Sequence, residues 1–242
     1  MLNKIMKSVS IALFISIIGI FLWLNNTHSL STDISLPIYD NVDVSTAADG
    51  TIIFQPNDNP TNTGLIVYPG ALIEPEAYTY YASAIASHGY LVALLSVNMH
   101  LSLFDTNKAA EVMAQFPDMH WYVAGHSMGG VSAASFAKDH HDQLAGLILL
   151  ASYPDPRDNL SNVDIPVISI YADLDGLTTL ENIADSRPYL PDDTIFKKIA
   201  GGNHAQFGLY GSQIGDLDPT ISPIAQQDQI ITATLEFIAN TN

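Results

Sequence analysis

Apolar positions in this chain fall into short unbroken runs that alternate with stretches of helical spacing, and the alternation predicts an architecture. Val42-Asp43-Val44 and Thr51-Ile52-Ile53-Phe54, separated by Ala47-Ala48-Asp49-Gly50, read as a β-hairpin with a glycine turn. Apolar runs at 65–68, 90–97, 121–124, 144–151 and 167–171 predict strands, and 194–199 reads as the last strand. Between and after them, residues 76–87, 108–115, 131–140, 177–186 and 224–239 predict helices. Strands rich in Val, Ile and Leu with helices between them imply a mostly parallel, doubly wound α/β sheet covered on both faces. The hairpin would supply its antiparallel edge.

Ahead of these elements lies a different pattern. Residues 9–24 form a run of 16 without a charge, preceded by Lys4 and Lys7 and followed by Asn25-Asn26-Thr27-His28. This predicts an export segment with the lysines inside and the folded part outside the membrane. No clear small-x-small cleavage pattern follows, so an uncleaved anchor is expected over a removed signal, which would leave the folded part secreted. The chain thus divides into 1–30 as membrane anchor or signal, 31–41 as polar linker and 42–242 as one folded domain.

Composition narrows the chemistry. The absence of cysteine removes disulfides, thiolate metal sites and cysteine nucleophiles. With 25 acidic against 8 basic residues the formal net charge is −17, which repels phosphate backbones and excludes nucleic acid as an expected partner.

One stretch carries a chemical signature. Gly125-His126-Ser127-Met128-Gly129 is a Gly-x-Ser-x-Gly pentapeptide between a predicted strand and a predicted helix. A turn that tight exposes the serine and needs glycine two positions to either side. A serine hydroxyl is a weak nucleophile at neutral pH, so it requires a base within reach and a group to orient that base. In a doubly wound sheet such groups come from loops at the carboxyl ends of strands. Asp173 and Asp175 follow the run 167–171, and His204 follows the last strand through Gly201-Gly202-Asn203. The order Ser, acid, His matches the α/β-hydrolase triad. An oxyanion would be held by the N–H of Met128 and by one from the loop Tyr68-Pro69-Gly70-Ala71, with Ala71 the candidate donor and Leu72 or Ile73 the alternatives.

Several blocks together resemble a known group. Tyr68-Pro69-Gly70-Ala71, Pro75-Glu76-Ala77-Tyr78, Gly125-His126-Ser127-Met128-Gly129-Gly130, the segment 171–178 and Gly201-Gly202-Asn203-His204-Ala205-Gln206-Phe207-Gly208 resemble small bacterial α/β-hydrolases near the dienelactone-hydrolase branch. Members of this group often carry an N-terminal membrane segment. The similarity runs from about residue 42 to the C-terminus. It implies the α/β-hydrolase fold, with Ser127 as nucleophile, His204 as general base and Asp175 as the acid that orients it. The group's spacing after the strand, a small residue, two spacers and then the acid, fits Ala172-Asp173-Leu174-Asp175 and favours Asp175 over Asp173. Dienelactone hydrolases use a cysteine nucleophile; the serine here favours ordinary carboxylic esters.

Only 152–166 separates the strand after the nucleophile helix from the acid-bearing strand, so no large cap is expected and the pocket should be open. Leu72, Ile73, the 99–104 loop, Tyr153 and Phe207 are its expected walls, with 210–223 as a rim. His126 is expected to pack, and Asp155, Asp158, Asp192, Asp193, Asp216 and Asp218 to serve as turn and cap residues. Adjacent His140 and His141 are poorly spaced for a metal, so neither metal nor cofactor is expected. The predicted activity is serine-dependent cleavage of small-molecule esters. Amide or thioester cleavage on the same triad, or an inactive exported binding domain, are the alternatives.

Overall fold

The computed structural model describes residues 26–32, 37 and 39–241. The apolar run 9–24, read as a membrane segment, lies outside the described residues. Among the described residues no helix is long and apolar enough to cross a membrane.

The described residues contain eight strands, β1 (Val42–Thr46), β2 (Ile52–Pro56), β3 (Thr63–Tyr68), β4 (Leu91–Leu94), β5 (His120–His126), β6 (Leu144–Leu150), β7 (Val167–Ala172) and β8 (Ile195–Ile199). They form one sheet in the order β1-β2-β4-β3-β5-β6-β7-β8. The β1–β2 and β2–β4 pairs are antiparallel, and every later pair is parallel. The hairpin therefore forms the antiparallel edge that its glycine turn predicts.

The central strands are apolar throughout because both faces are covered, yet their side chains still alternate. Leu65 and Val67, Tyr122 and Ala124, and Ile148 and Leu150 enter one core. Ile66 and Tyr68, Trp121 and Val123, and Leu147 and Leu149 enter the other. Helices α1 (Thr79–Ala86) and α5 (Pro223–Thr241) cover the first face. Helices α2 (Lys108–Gln115) and α3 (Met128–His140) cover the second. Burying one such Leu or Ile side chain contributes about 1.5–3 kcal/mol, so these two layers carry most of the fold's driving force.

Two elements differ from the sequence reading, each for a local reason. The helix expected at 76–87 is a 3-10 turn, Pro75–Tyr78, followed by α1, with Tyr78 leaving helical geometry at the junction. The helix expected from 177 begins later, as α4 (Leu180–Ser186), because Leu177 and Thr178 donate their N–H groups to Asp175. Thr179 then caps α4 in a reciprocal box with Asn182.

The segment before the hairpin is also engaged. His28 forms a parallel bridge with Ile73, its N–H donating to Leu72 O and its carbonyl accepting from Glu74 N. Ser31 N donates to Leu209 O.

Candidate active site

Ser127 sits where β5 ends and α3 begins, with φ 52° and ψ −122°. For a residue with a Cβ this is strained backbone, of order 1–3 kcal/mol, and it persists only where the surroundings enforce it. Here they do so by exclusion of side chains. A Cβ on Gly125 would stand 2.1 Å from the Gly129 carbonyl oxygen, and one on Gly129 would stand 2.2 Å from Tyr68 O. The turn is further held by Ser127 N donating to Leu150 O and by the Ser152 hydroxyl donating to Ser127 O at 2.6 Å.

Asp175 and His204 meet at the ends of β7 and β8. Asp175 Oδ2 accepts from His204 Nδ1 at 2.8 Å, with both side chains buried. The other oxygen, Oδ1, accepts from Leu177 N at 2.8 Å and Thr178 N at 2.6 Å. Three donors therefore surround one carboxylate and fix its orientation toward His204. His204 Nδ1 carries the proton in this pairing, which leaves Nε2 as the nitrogen with a free lone pair. Nε2 is buried and has no hydrogen-bond partner among the described residues. Asp173, the alternative acid, accepts from Gly201 N at 2.7 Å and so ties the same two loops through backbone.

The elbow and the histidine loop come together through His126. Its ring centroid lies 4.7 Å from that of His204 and 5.8 Å from that of Phe207, stacked on the latter. His126 Nδ1 shares a 2.9 Å hydrogen bond with the Tyr78 hydroxyl, whose oxygen also accepts from Gly70 N at 2.9 Å. Burial, and next the neighbouring His204, push the His126 pKa well below its ordinary value, so the ring is neutral. Burial likewise pushes the Tyr78 hydroxyl up and keeps it protonated.

The loop after β3 offers one uncommitted amide from the three considered. Leu72 N donates to His100 O and Ile73 N to Gly70 O. Ala71 N has no partner among the described residues. Met128 is the first residue of α3, where an N–H has no acceptor within the helix.

Ser127 and Met128 open onto a groove of about 280 Å³ lined also by Leu103, Val131, Tyr153 and Leu177. Ser152 and Thr178 complete it, and the Thr178 hydroxyl donates to Ala151 O, joining the acid loop to the floor of the elbow. Leu103 and Tyr153 are walls that the sequence anticipates. Leu72, Ile73 and Phe207 are not: all three are buried away from the groove. Ile73 and Phe207 belong to the core on the α1 side, because the 205–207 turn folds inward and stacks Phe207 on His126. Between β6 and β7 the only helical element is the short turn Pro156–Asp158, and Ser152 and Tyr153 of the same segment line the groove.

Sequence reasoning missed Tyr78 and Asp216. Asp216, read as a turn residue, accepts backbone N–H groups from both the acid loop and the histidine loop. No group of three His, Cys, Asp or Glu among the described residues could hold a metal ion. His140 Nε2 instead bonds Asn107 Oδ1.

Comparison with known proteins bears on this geometry. The model of the alpha/beta hydrolase family matches residues 64–228. Among characterised relatives, cutinase 2 of Thermobifida cellulosilytica is 25% identical over 154 residues, 58% of this chain and 57% of that protein. Cutinase cut1 of Thermobifida fusca is 25% identical over a stretch covering 58% of this chain and 47% of its own length. The chain thus spans about half the length of the relatives that it matches. A dienelactone hydrolase from Anabaena variabilis superposes with a TM-score of 0.63 at 13% identity, covering 83% of this chain and 99% of that one. The protein TT1662 from Thermus thermophilus superposes with a TM-score of 0.60 at 14% identity, covering 82% and 97%. At such identities these two structures bear on the fold alone.

Proposed function

The chain belongs to the alpha/beta hydrolase family, and on that footing we propose that it is a serine hydrolase cleaving small carboxylic esters through an acyl-enzyme on Ser127. The observation that carries this reading is the buried 2.8 Å contact between Asp175 and His204, together with a serine in strained, partly exposed geometry at the end of β5. The cutinases among its relatives point to esters as well.

In the proposed cycle His204 Nε2 takes the Ser127 proton as the hydroxyl oxygen attacks the ester carbonyl. The carbonyl oxygen becomes an oxyanion held by the Met128 and Ala71 amides. Collapse of the tetrahedral intermediate expels the alcohol, which receives the proton from His204, and leaves the acyl group on Ser127. Water then attacks the acyl-enzyme with His204 again as base, releasing the acid and restoring the serine. Throughout, Asp175 holds the imidazole in the tautomer whose Nε2 can accept a proton and stabilises the cation formed when it does. Two oriented amides are worth about 2.7–4 kcal/mol each in such a role, so Ala71 and Met128 bear a large part of the barrier reduction.

The uncapped groove favours short acyl chains. Turnover of p-nitrophenyl esters of increasing chain length tests this: the expected optimum is at two to about six carbons, and an optimum on long chains contradicts the open-groove reading. Parallel assays on p-nitroanilides and thioesters of the same acyl group should show at least about a hundredfold lower kcat/KM.

The segment 1–30 is proposed to hold the domain at a membrane, with the catalytic part outside the cytoplasm. Fractionation of the full chain, with protease access to the domain from the outer side, tests that placement.

A further inference from the structure

We propose that Asp216 is a positioning residue that sets the geometry of the Asp175–His204 pair by clasping the two loops that carry it. The proposal rests on the reading of that pair as catalytic. Asp216 lies on neither loop, yet its carboxylate receives backbone N–H groups from both. Oδ1 accepts from Gly176 N at 3.0 Å, from His204 N at 3.2 Å and from its neighbour Leu217 N at 2.9 Å. Oδ2 accepts from Ala205 N at 2.9 Å. Gly176 directly follows Asp175, so the clasp grips each partner of the 2.8 Å pair at its own backbone.

The packing around the clasp leaves little freedom. A Cβ on Gly176 would stand 2.4 Å from Gly215 O, so the backbones of the acid loop and the clasp loop approach closely there. The clasp loop is itself anchored: the Tyr210 hydroxyl donates to Gln213 Oε1 at 2.8 Å, Asp216 N donates to Gln213 O, and Asn203 Nδ2 donates to Leu217 O at 2.9 Å. Asp173, which accepts from Gly201 N, links the bases of the same two loops. Asp216 links them at their tips, next to the side chains that must meet. A carboxylate suits the task because it offers two oxygens to several donors and brings none of its own.

The chemical consequence concerns turnover more than binding. His204 must present Nε2 to Ser127 within a few tenths of an ångström, and a displacement of about 1 Å can cost roughly a hundredfold in rate. Asp216 itself does not line the groove at Ser127, so substrate affinity should barely respond.

The test compares Asp216→Ala, Asp216→Asn and Asp218→Ala in the full chain, reading kcat and KM on a short ester, thermal stability, and the downfield proton resonance of the His204 Nδ1–H. Asp216→Ala is expected to lower kcat by about 10–100-fold with KM within about threefold, and to shift or broaden the resonance. Asp216→Asn keeps one acceptor oxygen but sets an NH₂ against Ala205 N, so its kcat should fall between wild type and the alanine variant. Asp218→Ala, on the same loop but outside the clasp, should leave both readouts unchanged. Wild-type kcat and an unmoved resonance in Asp216→Ala overturn the proposal, as does a loss of stability without loss of kcat. Should the alanine variant fail to fold, a wild-type kcat and resonance in Asp216→Asn overturn it equally. If the wild-type chain turns over no ester, the catalytic reading fails, and the resonance alone then decides whether Asp216 sets the pair.

Discussion

Tyr78 and His126, both fully buried, share a 2.9 Å hydrogen bond that joins the loop after β3 to the residue before the candidate nucleophile. The tyrosine oxygen also accepts from Gly70 N, so one hydroxyl holds both the loop and the ring. The contact thus connects the Ala71 amide, one residue beyond Gly70, with the ring that packs against His204.

Tyr78→Phe is expected to lower kcat about tenfold while leaving KM within a factor of three, because Gly70 is released and the Ala71 amide loses its aim. It should also cost about 1–3 kcal/mol of stability, since Gly70 N and His126 Nδ1 are left buried without partners. Steady-state kinetics and denaturant midpoints measure the two effects on one sample.

His126 also predicts a pH dependence of stability. Its folded pKa lies well below the ordinary value of 6.5, mainly through burial, so below that pH the unfolded chain binds a proton that the folded chain does not. Stability therefore falls as pH drops below about 6.5, with a slope of up to 1.4 kcal/mol per pH unit from this one group. Above that pH the contribution is flat. Urea titrations at pH 7.5, 6.5 and 5.5 should show a shallower acid loss in His126→Gln than in wild type.

How much of this could be read without the structure is visible residue by residue. The strands at 65–68 and 121–124 announce themselves because both faces are buried and every position is apolar. The glycines around Ser127 are equally legible, since close backbone approach leaves no other residue type. Tyr78 and His126 are 48 positions apart, and their pairing depends on where α1 packs against the sheet, which no local pattern encodes. Asp216 stands in a run of turn residues and has a turn residue's composition; only the approach of three loops gives it a second role. Phe207 was misplaced for a related reason: its position beside His204 is evident, but the inward direction of the 205–207 turn is set by stacking on His126.

Gly129→Ala is expected to destabilise the fold by about 3 kcal/mol or more, because the new methyl would stand 2.2 Å from Tyr68 O, and backbone on both sides resists the shift. Gly211→Ala serves as the contrast: beyond its two chain neighbours no atom of the described residues lies within 4 Å of its Cβ position, and its cost comes from a φ of +89°. A denaturant midpoint for Gly129→Ala no lower than that of Gly211→Ala contradicts the packing account of the elbow.

The segment around His28 should matter to a domain that the sequence pattern begins at residue 42. Removing 1–25 is expected to leave the ester kinetics of the domain unchanged. Removing 1–31 takes away the His28 bridge to Ile73 and the Ser31 bond to Leu209, beside the loop that holds Ala71. Three lost hydrogen bonds at about 1 kcal/mol each predict a loss near 3 kcal/mol, with a lower kcat from the loosened loop. Calorimetry and ester assays on the two truncations distinguish these outcomes.

The most direct test of the account as a whole is fluorophosphonate labelling followed by mass mapping of the adduct, with Ser127→Ala in parallel. The account predicts a single adduct on Ser127, no adduct in Ser127→Ala, and ester turnover in that variant reduced by roughly 10⁴-fold or more. An adduct on another serine, no adduct on a correctly folded wild-type chain, or a Ser127→Ala variant that keeps its turnover would contradict it.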